Sequence, residues 1–228
     1  MSKKLNLSAM SKEQIIWLAQ HYCRHGHTYL SHYSCYQKEV EGLLRERVGV
    51  LDIESTGLDA DFGFILSYAI KDADTGEVHG RVLSGEEVSS GEYDKRICAE
   101  LVRDIRKFDR LVGYYLADAR FDIPYIRARC LFNNVEFPAY GAFKVTDVYD
   151  IVKRKLKLGR NRLSTACEFL GIDAKNHPLT GKKWMDARTG KEDALKWVWA
   201  HNVEDVESTL ELWNRIKHFQ RKTNKCLS

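Results

Sequence analysis

The sequence predicts an α/β protein in which a mixed β-sheet is flanked by helices, because the hydrophobic pattern changes along the chain. Apolar runs typical of buried strands come first, over residues 48–53, 64–70 and 78–83. Their close succession, with a turn over residues 72–76, predicts an antiparallel meander. Beyond residue 93, segments with helical spacing alternate with short strands. This order favours one sheet with helices packed against it.

Each further element is assigned from its spacing and its end signals. The first helix is predicted over residues 11–22, where Ser11 and Gln14 have the spacing of a capping box. After the meander come a helix over 93–108, a strand over 111–115, a helix over 123–131, a strand around 143–148, and helices over 149–156, 162–170 and 192–221. We therefore expect a small N-terminal helical and Cys/His-rich extension over 1–45, a main domain over 46–221 and a flexible tail over 222–228.

Length and composition narrow the class of protein. A chain of 228 residues holds one substantial core, and 44% hydrophobic with 30% charged residues is typical of a folded globular chain. No apolar run approaches the length of a membrane span, and the amino terminus lacks the apolar core of a signal peptide, so we expect a cytoplasmic protein without a membrane partner. The six irregularly spaced cysteines are then expected to be reduced. A net charge of +4 neither indicates nor excludes nucleic-acid binding.

Acidic residues at unusual positions predict a metal site. Asp52 and Glu54 follow an apolar run and, two residues apart on a strand, project from the same face. Like charges placed side by side repel each other, and a shared divalent cation relieves the repulsion. Asp122 precedes Pro124 at a helix start, where capping is the structural alternative. Asp205 follows His201 by one helical turn, and there the alternative is a solvated charged face.

Taken together, these acids resemble the three motifs of the DEDD exonuclease superfamily, which has an RNase H-like fold. Asp52 and Glu54 match its first motif, Asp122 the second and Asp205 the third. The closer resemblance is to stand-alone YprB-type RNase H-like exonucleases, followed by the proofreading domains of family B DNA polymerases. It rests on the segments 51–58, 114–129 and 146–149, and it covers about residues 46 to 215.

The resemblance implies a 3′–5′ exonuclease that hydrolyses phosphodiester bonds at single-stranded DNA ends, within a replication or repair complex. Two Mg²⁺ or Mn²⁺ ions suit all-oxygen ligands and this chemistry. Asp52 would bridge both ions, Glu54 and Asp205 would complete the first site, and Asp122 would act on the second through water. An RNA exonuclease of the same fold, an RNase H-like endonuclease and a non-catalytic nucleic-acid-binding module remain alternatives.

Two further residues have open roles in this site. His201 lies four residues before Asp205, the spacing at which polymerase-type members carry tyrosine, whereas the other large branch has histidine five residues before the acid. It can act as a general base, orient the attacking water, or be a structural histidine without chemistry. Asp147 is a supporting acid, or it forms an ion pair with Arg154 or Arg162.

The N-terminal Cys/His-rich stretch predicts a zinc site. Cys23 and Cys35 with two of His25, His27 and His32 have suitable ligand types, and we take Cys23, His27, His32 and Cys35 as the candidate set. The spacing matches no standard zinc finger. A polar, Tyr-rich loop and a substrate-contacting segment are the alternatives.

A basic run between the second and third motifs is a candidate substrate surface. Its residues either guide the phosphate backbone toward the site or form ordinary solvated helix surface. The candidate substrate-binding residues are Phe121, Lys153, Arg154, Lys155, Arg160 and Arg162.

Overall fold

The protein is described by a computed structural model that covers residues 5–40, 46–173, 178 and 180–220. The chain divides into two compact units, Met1–Glu46 and Arg47–Ser228. The flexible tail expected over residues 222–228 lies outside the described residues.

The described part of the N-terminal unit contains a 3₁₀ turn at Leu7–Ala9, two α-helices and a small core. Helix α1 (Lys12–Gln20) begins at the predicted capping box: Gln14 N donates to Ser11 Oγ at 3.2 Å, and Ser11 N donates to Gln14 Oε1 at 3.0 Å. Helix α2 (Tyr33–Glu39) was not predicted, because it is short and lacks an apolar period. The buried core of this unit consists of Leu18, Cys23, Tyr29 and Cys35.

The second unit is built on a five-stranded mixed sheet with the order β3-β2-β1-β4-β5. Its strands are β1 (Val48–Ser55), β2 (Ile65–Asp72), β3 (Val78–Val82), β4 (Arg110–Gly113) and β5 (Lys144–Asp147). The first three strands pair antiparallel, whereas β4 is parallel to β1 and β5 is parallel to β4. The predicted mixed sheet, with its meander, is therefore confirmed.

Helices surround this sheet. They are α3 (Gly85–Ser89), α4 (Lys95–Ile105), α5 (Asp122–Phe132), α6 (Val148–Lys155), α7 (Leu163–Phe169), α8 (Gly181–Arg188) and α9 (Glu192–Ile216), with a 3₁₀ turn at Lys217–Phe219. The sequence did not predict α3 or α8. Helix α9 ends before the predicted residue 221, and the shorter helices agree with their predicted positions to within a few residues.

Alternating side chains of β1 divide the core into two clusters. Leu51 and Ile53 pack in one cluster with residues of α4 and α5, whereas Val50 packs in the other with residues of α6, α7 and the second half of α9. Asp52 and Glu54 share the face of Val50, because side chains two residues apart on a strand project in the same direction. The fold thus directs both acids toward the layer that contains α9.

Helix α9 lies very close to the sheet at Gly80 of β3. A Cβ atom at Gly80 would lie 2.6 Å from the indole carbon Cη2 of Trp199. Only glycine leaves room for the indole at this point, so Gly80 allows α9 to pack directly over β3 and β2.

A buried ion pair fixes α5 against the start of β2. Arg129 Nε and Nη2 donate to the two carboxylate oxygens of Asp94, each at 2.8 Å. The same carboxylate accepts from Ile65 N at 2.9 Å and from Asn133 Nδ2 at 3.0 Å. Asp94 is fully buried, and its network joins β2, α4 and α5. Because α5 begins at Asp122, this network positions one of the motif acids.

None of the helices in the described ranges is long and apolar enough to cross a membrane.

Candidate active site

The structure brings residues of all three motifs to one region of the second unit. Asp52 and Glu54 lie in the second half of β1, Asp122 is the first residue of α5, and His201 and Asp205 lie one turn apart on α9. Glu54, Asp122, His201 and Asp205 are buried, and Asp52 is half-buried. A solvated charged face therefore does not account for Asp205.

His201 lies between two of the acids. Its Nε2 atom is 3.4 Å from Glu54 Oε1 and 3.5 Å from Asp205 Oδ2. One ligand atom from each of Glu54, His201 and Asp205 can be chosen so that all three lie within 4.8 Å of one another. The histidine is therefore in contact with the acids, where it can hold or accept a proton beside them.

Asp122 is a buried acid whose environment disfavours its charge. The N-cap position of α5 is Phe121, so capping does not explain why an acid stands at position 122. Its Oδ2 atom is buried and has no hydrogen-bond partner among the described residues. Burial and the negative charge of Asp52 raise the pKa of the Asp122 carboxyl well above its usual value. A cation in contact with this oxygen would satisfy it.

We expect Asp122→Asn to stabilise the protein at pH 7 in EDTA. The raised pKa means that ionised Asp122 destabilises the folded state above the unfolded pKa of about 3.9, and asparagine removes that charge. The expected rise in Tm is a few degrees, because about 1 kcal/mol corresponds to about 2–4 °C in a chain of this size. Calorimetry at pH 7 and at about pH 3.5 measures the difference. At the lower pH the two proteins should melt alike, and an equal gain at both values would contradict the electrostatic cause.

Two consecutive buried hydrogen bonds orient Asp52, and the sequence motifs did not predict them. Asn202 Nδ2 donates to Asp52 Oδ2 at 2.6 Å, and Ser67 Oγ donates to Asn202 Oδ1 at 3.1 Å. Ser67 pairs with Glu54 across β1 and β2, so its side chain reaches the same face of the sheet. Asn202 and Ser67 are both fully buried. Because Ser67 occupies the amide oxygen, the amide nitrogen is directed at Asp52.

Asn202→Ala should reduce the nuclease activity predicted from the motifs by about 10–100-fold, the usual loss when the hydrogen-bond partner of a metal-ligating group is removed. It should also cost about 1–3 kcal/mol of stability, because Ser67 and Asp52 lose their buried partner. Ser67→Ala, which leaves the bond to Asp52 in place, should have a smaller effect on rate. Steady-state kinetics and urea unfolding separate the two effects. The exposed Asn214 on the same helix provides a control as Asn214→Ala, and equal losses there would contradict a positioning role for Asn202.

Asp147 binds backbone N–H groups and does not form the ion pair with Arg154 or Arg162 that was one of the two sequence alternatives. Its Oδ1 atom accepts from Tyr115 N at 3.2 Å and Tyr149 N at 3.0 Å, and its Oδ2 accepts from Ala117 N at 3.0 Å. Backbone groups, and not the proposed Arg154 or Arg162, are thus its partners. Arg154 lies 3.7 Å from Asp150 instead. Asp147 caps α6 and fixes the segment that leads to Asp122.

Aromatic and basic side chains form a surface next to the start of α5. Tyr115 has a φ of 65°, a strained value for a non-glycine residue, and its carbonyl oxygen accepts from Asp122 N at 3.3 Å. Its ring stacks on Tyr149 with centroids 4.2 Å apart. The Arg120 guanidinium lies 4.7 Å and the Lys153 ammonium 5.6 Å from the centre of the Tyr149 ring. Tyr115, Tyr149 and Arg120 were not predicted as site residues.

The predicted substrate-binding residues have different surroundings. Lys153, Arg154, Lys155, Arg160 and Arg162 are exposed, the first three on α6 and the last two before α7. The half-buried ring of Phe121 packs against Tyr125, with centroids 5.1 Å apart. Lys153 alone among these cations is placed on the Tyr149 ring.

The N-terminal unit holds its own cluster of possible ligands, and it differs from the predicted set in one residue. Atoms of Cys23, His25, His32 and Cys35 lie within 4.8 Å of one another. The structure groups His25, rather than the predicted His27, with the other three residues, and the His27 ring packs edge-on against His32 with centroids 5.3 Å apart. The five described cysteines are free thiols.

The fold and the site define a class of protein: a mixed sheet with an antiparallel meander and a buried carboxylate site at β1, α5 and α9. The sequence matches the RNase H superfamily over residues 50–217, and the chain belongs to that superfamily. The predicted resemblance to RNase H-like proteins is thereby confirmed, and the family suggests a nuclease.

Comparison with solved structures supports this fold. The family B DNA polymerase from the hyperthermophilic archaeon Pyrobaculum calidifontis superimposes with a TM-score of 0.60 at 21% sequence identity. The match covers 76% of the present chain and 25% of the polymerase, so the chain corresponds to about a quarter of that protein. A search of curated protein sequences gave no significant match.

Proposed function

We propose that the protein is a metal-dependent 3′–5′ exonuclease that acts on single-stranded DNA ends. The observation that carries this proposal is the buried group formed by Glu54, His201 and Asp205, with Asp52 on the same strand as Glu54. The buried Oδ2 atom of Asp122, which has no hydrogen-bond partner among the described residues, supports it, because burial and the nearby charge of Asp52 raise the pKa of this carboxyl. A protein that only binds nucleic acid has no use for negative charges where phosphates must lie.

The acids fit divalent cations in number, burial and ligand chemistry. Asp52, Glu54, Asp122 and Asp205 would hold them, and all-oxygen carboxylate ligation favours Mg²⁺ or Mn²⁺. When bound, such ions would activate water and neutralise the charge that develops on the phosphate and on the leaving oxygen.

The remaining residues position these groups. Asn202, itself held by Ser67, orients the Asp52 carboxylate. His201 accepts or holds a proton next to Glu54 and Asp205, or it orients the attacking water through a hydrogen bond. The three backbone bonds of Asp147 fix the segment around Tyr115 next to Asp122.

The surface formed by Tyr115, Tyr149, Arg120 and Lys153 suits a single-stranded end. Tyr115 is partly exposed, and stacked tyrosines offer a ring face to an unpaired base. Lys153 places positive charge over the Tyr149 ring, where a phosphate of the strand can bind, whereas the Arg120 guanidinium over the same ring donates to Asp150 at 2.6 Å. Bases already paired in a duplex cannot stack in this way, which favours single strands. A replication or repair complex as partner stays a prediction.

Labelled substrates test the proposal directly. Purified protein is incubated with 5′-labelled single-stranded DNA, duplex DNA and single-stranded RNA in Mg²⁺, Mn²⁺ or EDTA. We expect a ladder that shortens from the 3′ end on single-stranded DNA, slower loss of duplex, and no reaction in EDTA. A 3′-labelled strand should release labelled mononucleotide from the first turnover.

Circular single-stranded DNA distinguishes an exonuclease from an endonuclease of the same fold. An exonuclease leaves the circle intact, whereas linearisation of the circle would contradict the proposed exonuclease activity. Faster cleavage of RNA than of DNA would show that RNA is the preferred substrate. Binding without cleavage in either metal would show that the protein is a nucleic-acid-binding module and not an enzyme.

A further inference from the structure

The Cys/His cluster of the N-terminal unit is contributed by two local structures. Cys23 and His25 lie in a tight turn, in which Gly26 N donates to Cys23 O at 2.9 Å and Cys23 N donates to His27 O at 2.8 Å. Gly26 has a φ of 80°, a conformation that glycine adopts readily. His32 and Cys35 lie at the start of α2, one helical turn apart. Both pairs of ligands are thus fixed by backbone hydrogen bonds.

The distances within this cluster match tetrahedral coordination of zinc. The Sγ atom of Cys23 lies 3.8 Å from His25 Nδ1 and 3.6 Å from His32 Nδ1. The Sγ atom of Cys35 lies 3.4 Å and 3.5 Å from the same two nitrogens. A tetrahedral zinc ion with bonds of about 2.3 Å to sulfur and about 2.0–2.1 Å to nitrogen holds these atoms about 3.6 Å apart. All four sulfur–nitrogen distances therefore agree with coordination of a single zinc ion.

A second set of contacts holds the turn and the helix together around the cluster. Glu39, the last residue of α2, accepts from Arg24 N at 3.4 Å and from the Tyr29 hydroxyl at 3.0 Å. Its other oxygen lies 3.4 Å from Arg24 Nε. Arg24 lies between the two ligands of the turn, so Glu39 joins the two halves of the site without occupying it.

The core of this unit is small, so a bound metal ion would add to its stability. Four buried side chains form it in the described part of the unit, and two of them are Cys23 and Cys35. Units of this size rarely reach stability from a hydrophobic core alone, and a structural metal is one common addition. Two thiolates balance the charge of a divalent zinc ion, and two neutral imidazoles complete a closed site without an open position.

We propose that Cys23, His25, His32 and Cys35 bind one structural Zn²⁺ ion, with both imidazoles coordinating through Nδ1. Binding converts both thiols to thiolates and releases their protons to solvent. The soft sulfur ligands and the closed tetrahedral set separate this ion from the Mg²⁺ or Mn²⁺ proposed for the carboxylates.

Elemental analysis of the full chain, purified without a metal-affinity tag, tests the site and needs no nuclease activity. We expect close to one zinc per chain in the wild-type protein. The neighbouring histidines provide a matched pair, because His25 and His27 are both exposed and lie two residues apart. His25→Asn should lose most of its zinc after dialysis, whereas His27→Asn should keep it.

Cobalt reconstitution covers the case in which a variant fails to fold. Wild-type protein stripped of zinc and titrated with Co²⁺ under reducing conditions should develop the visible bands of a tetrahedral ion and thiolate-to-metal charge transfer, and zinc should displace them. Free thiols with no zinc and no cobalt spectrum would overturn the proposal, as would a disulfide between Cys23 and Cys35 in protein purified under reducing conditions. Loss of zinc from His27→Asn with retention in His25→Asn would overturn the ligand assignment.

Discussion

Asp52→Asn will leave the chain folded and reduce phosphodiester cleavage by on the order of a thousandfold or more. The proposed role of Asp52 requires a full negative charge, and a metal contribution of several kcal/mol to the transition state is worth about that factor. Asparagine has nearly the same shape and can still accept the hydrogen bond from Asn202 Nδ2, which lies 2.6 Å from Asp52 Oδ2 in the wild-type protein. The change therefore removes charge with little loss of packing.

Cleavage of 5′-labelled single-stranded DNA under single-turnover conditions measures this effect, and thermal unfolding in EDTA reports on the fold. Asp74→Asn is the matched control: it makes the same change of charge in the exposed β2–β3 turn, at the end of the sheet away from Glu54. We expect wild-type rates from the control. An Asp52 variant that cleaves at more than a tenth of the wild-type rate would remove Asp52 from the proposed mechanism.

Asp94→Asn is expected to have the largest effect on stability, a loss of about 3–5 kcal/mol. Asparagine at this position leaves the Arg129 guanidinium buried without its anion, whereas the wild-type carboxylate accepts bonds from three different residues. Urea unfolding, with the slope m compared between the proteins, measures the loss.

A second Asp–Arg pair of the same unit serves as control. Asp118 Oδ1 accepts from Arg127 Nη2 at 2.7 Å, but these side chains are 37% and 45% exposed, whereas those of Asp94 and Arg129 are buried. Solvent weakens such a pair to about 0–1 kcal/mol, so Asp118→Asn should change little. Similar losses in the two variants would show that burial does not determine the strength of the Asp94–Arg129 pair.

The elements that could be predicted from the sequence are those with long patterns or clear end signals. The strands of the meander follow from apolar runs, and α1 from Ser11 and Gln14. Helix α3 has a comparable signal, the capping box formed by Ser84 and Glu87, which the sequence analysis did not use. Helices α2 and α8 are short and polar, and their helical form depends on local contacts that a hydrophobic period does not reveal.

The candidate site was predictable as far as residue types and spacing define it. The four acids and His201 are recognised from motifs. Asn202 is identified only through its contacts with Ser67 and Asp52, which lie far from it in the sequence. In the N-terminal unit, spacing alone does not distinguish His25 from His27. The backbone turn at Gly26 decides which imidazole reaches the two sulfurs, and that turn is a property of three-dimensional structure.

The bond between Asn202 and Asp52 joins residues 150 positions apart in the chain. Contacts of such long range form late in folding, because the loop between them must close first. Helices and local hairpins can therefore appear while the carboxylates are still separated. During refolding, recovery of cleavage should lag behind recovery of helical circular dichroism. A partly folded chain would then be harmless to nucleic acid, since the proposed hydrolytic centre forms only after β1 and α9 have come into contact.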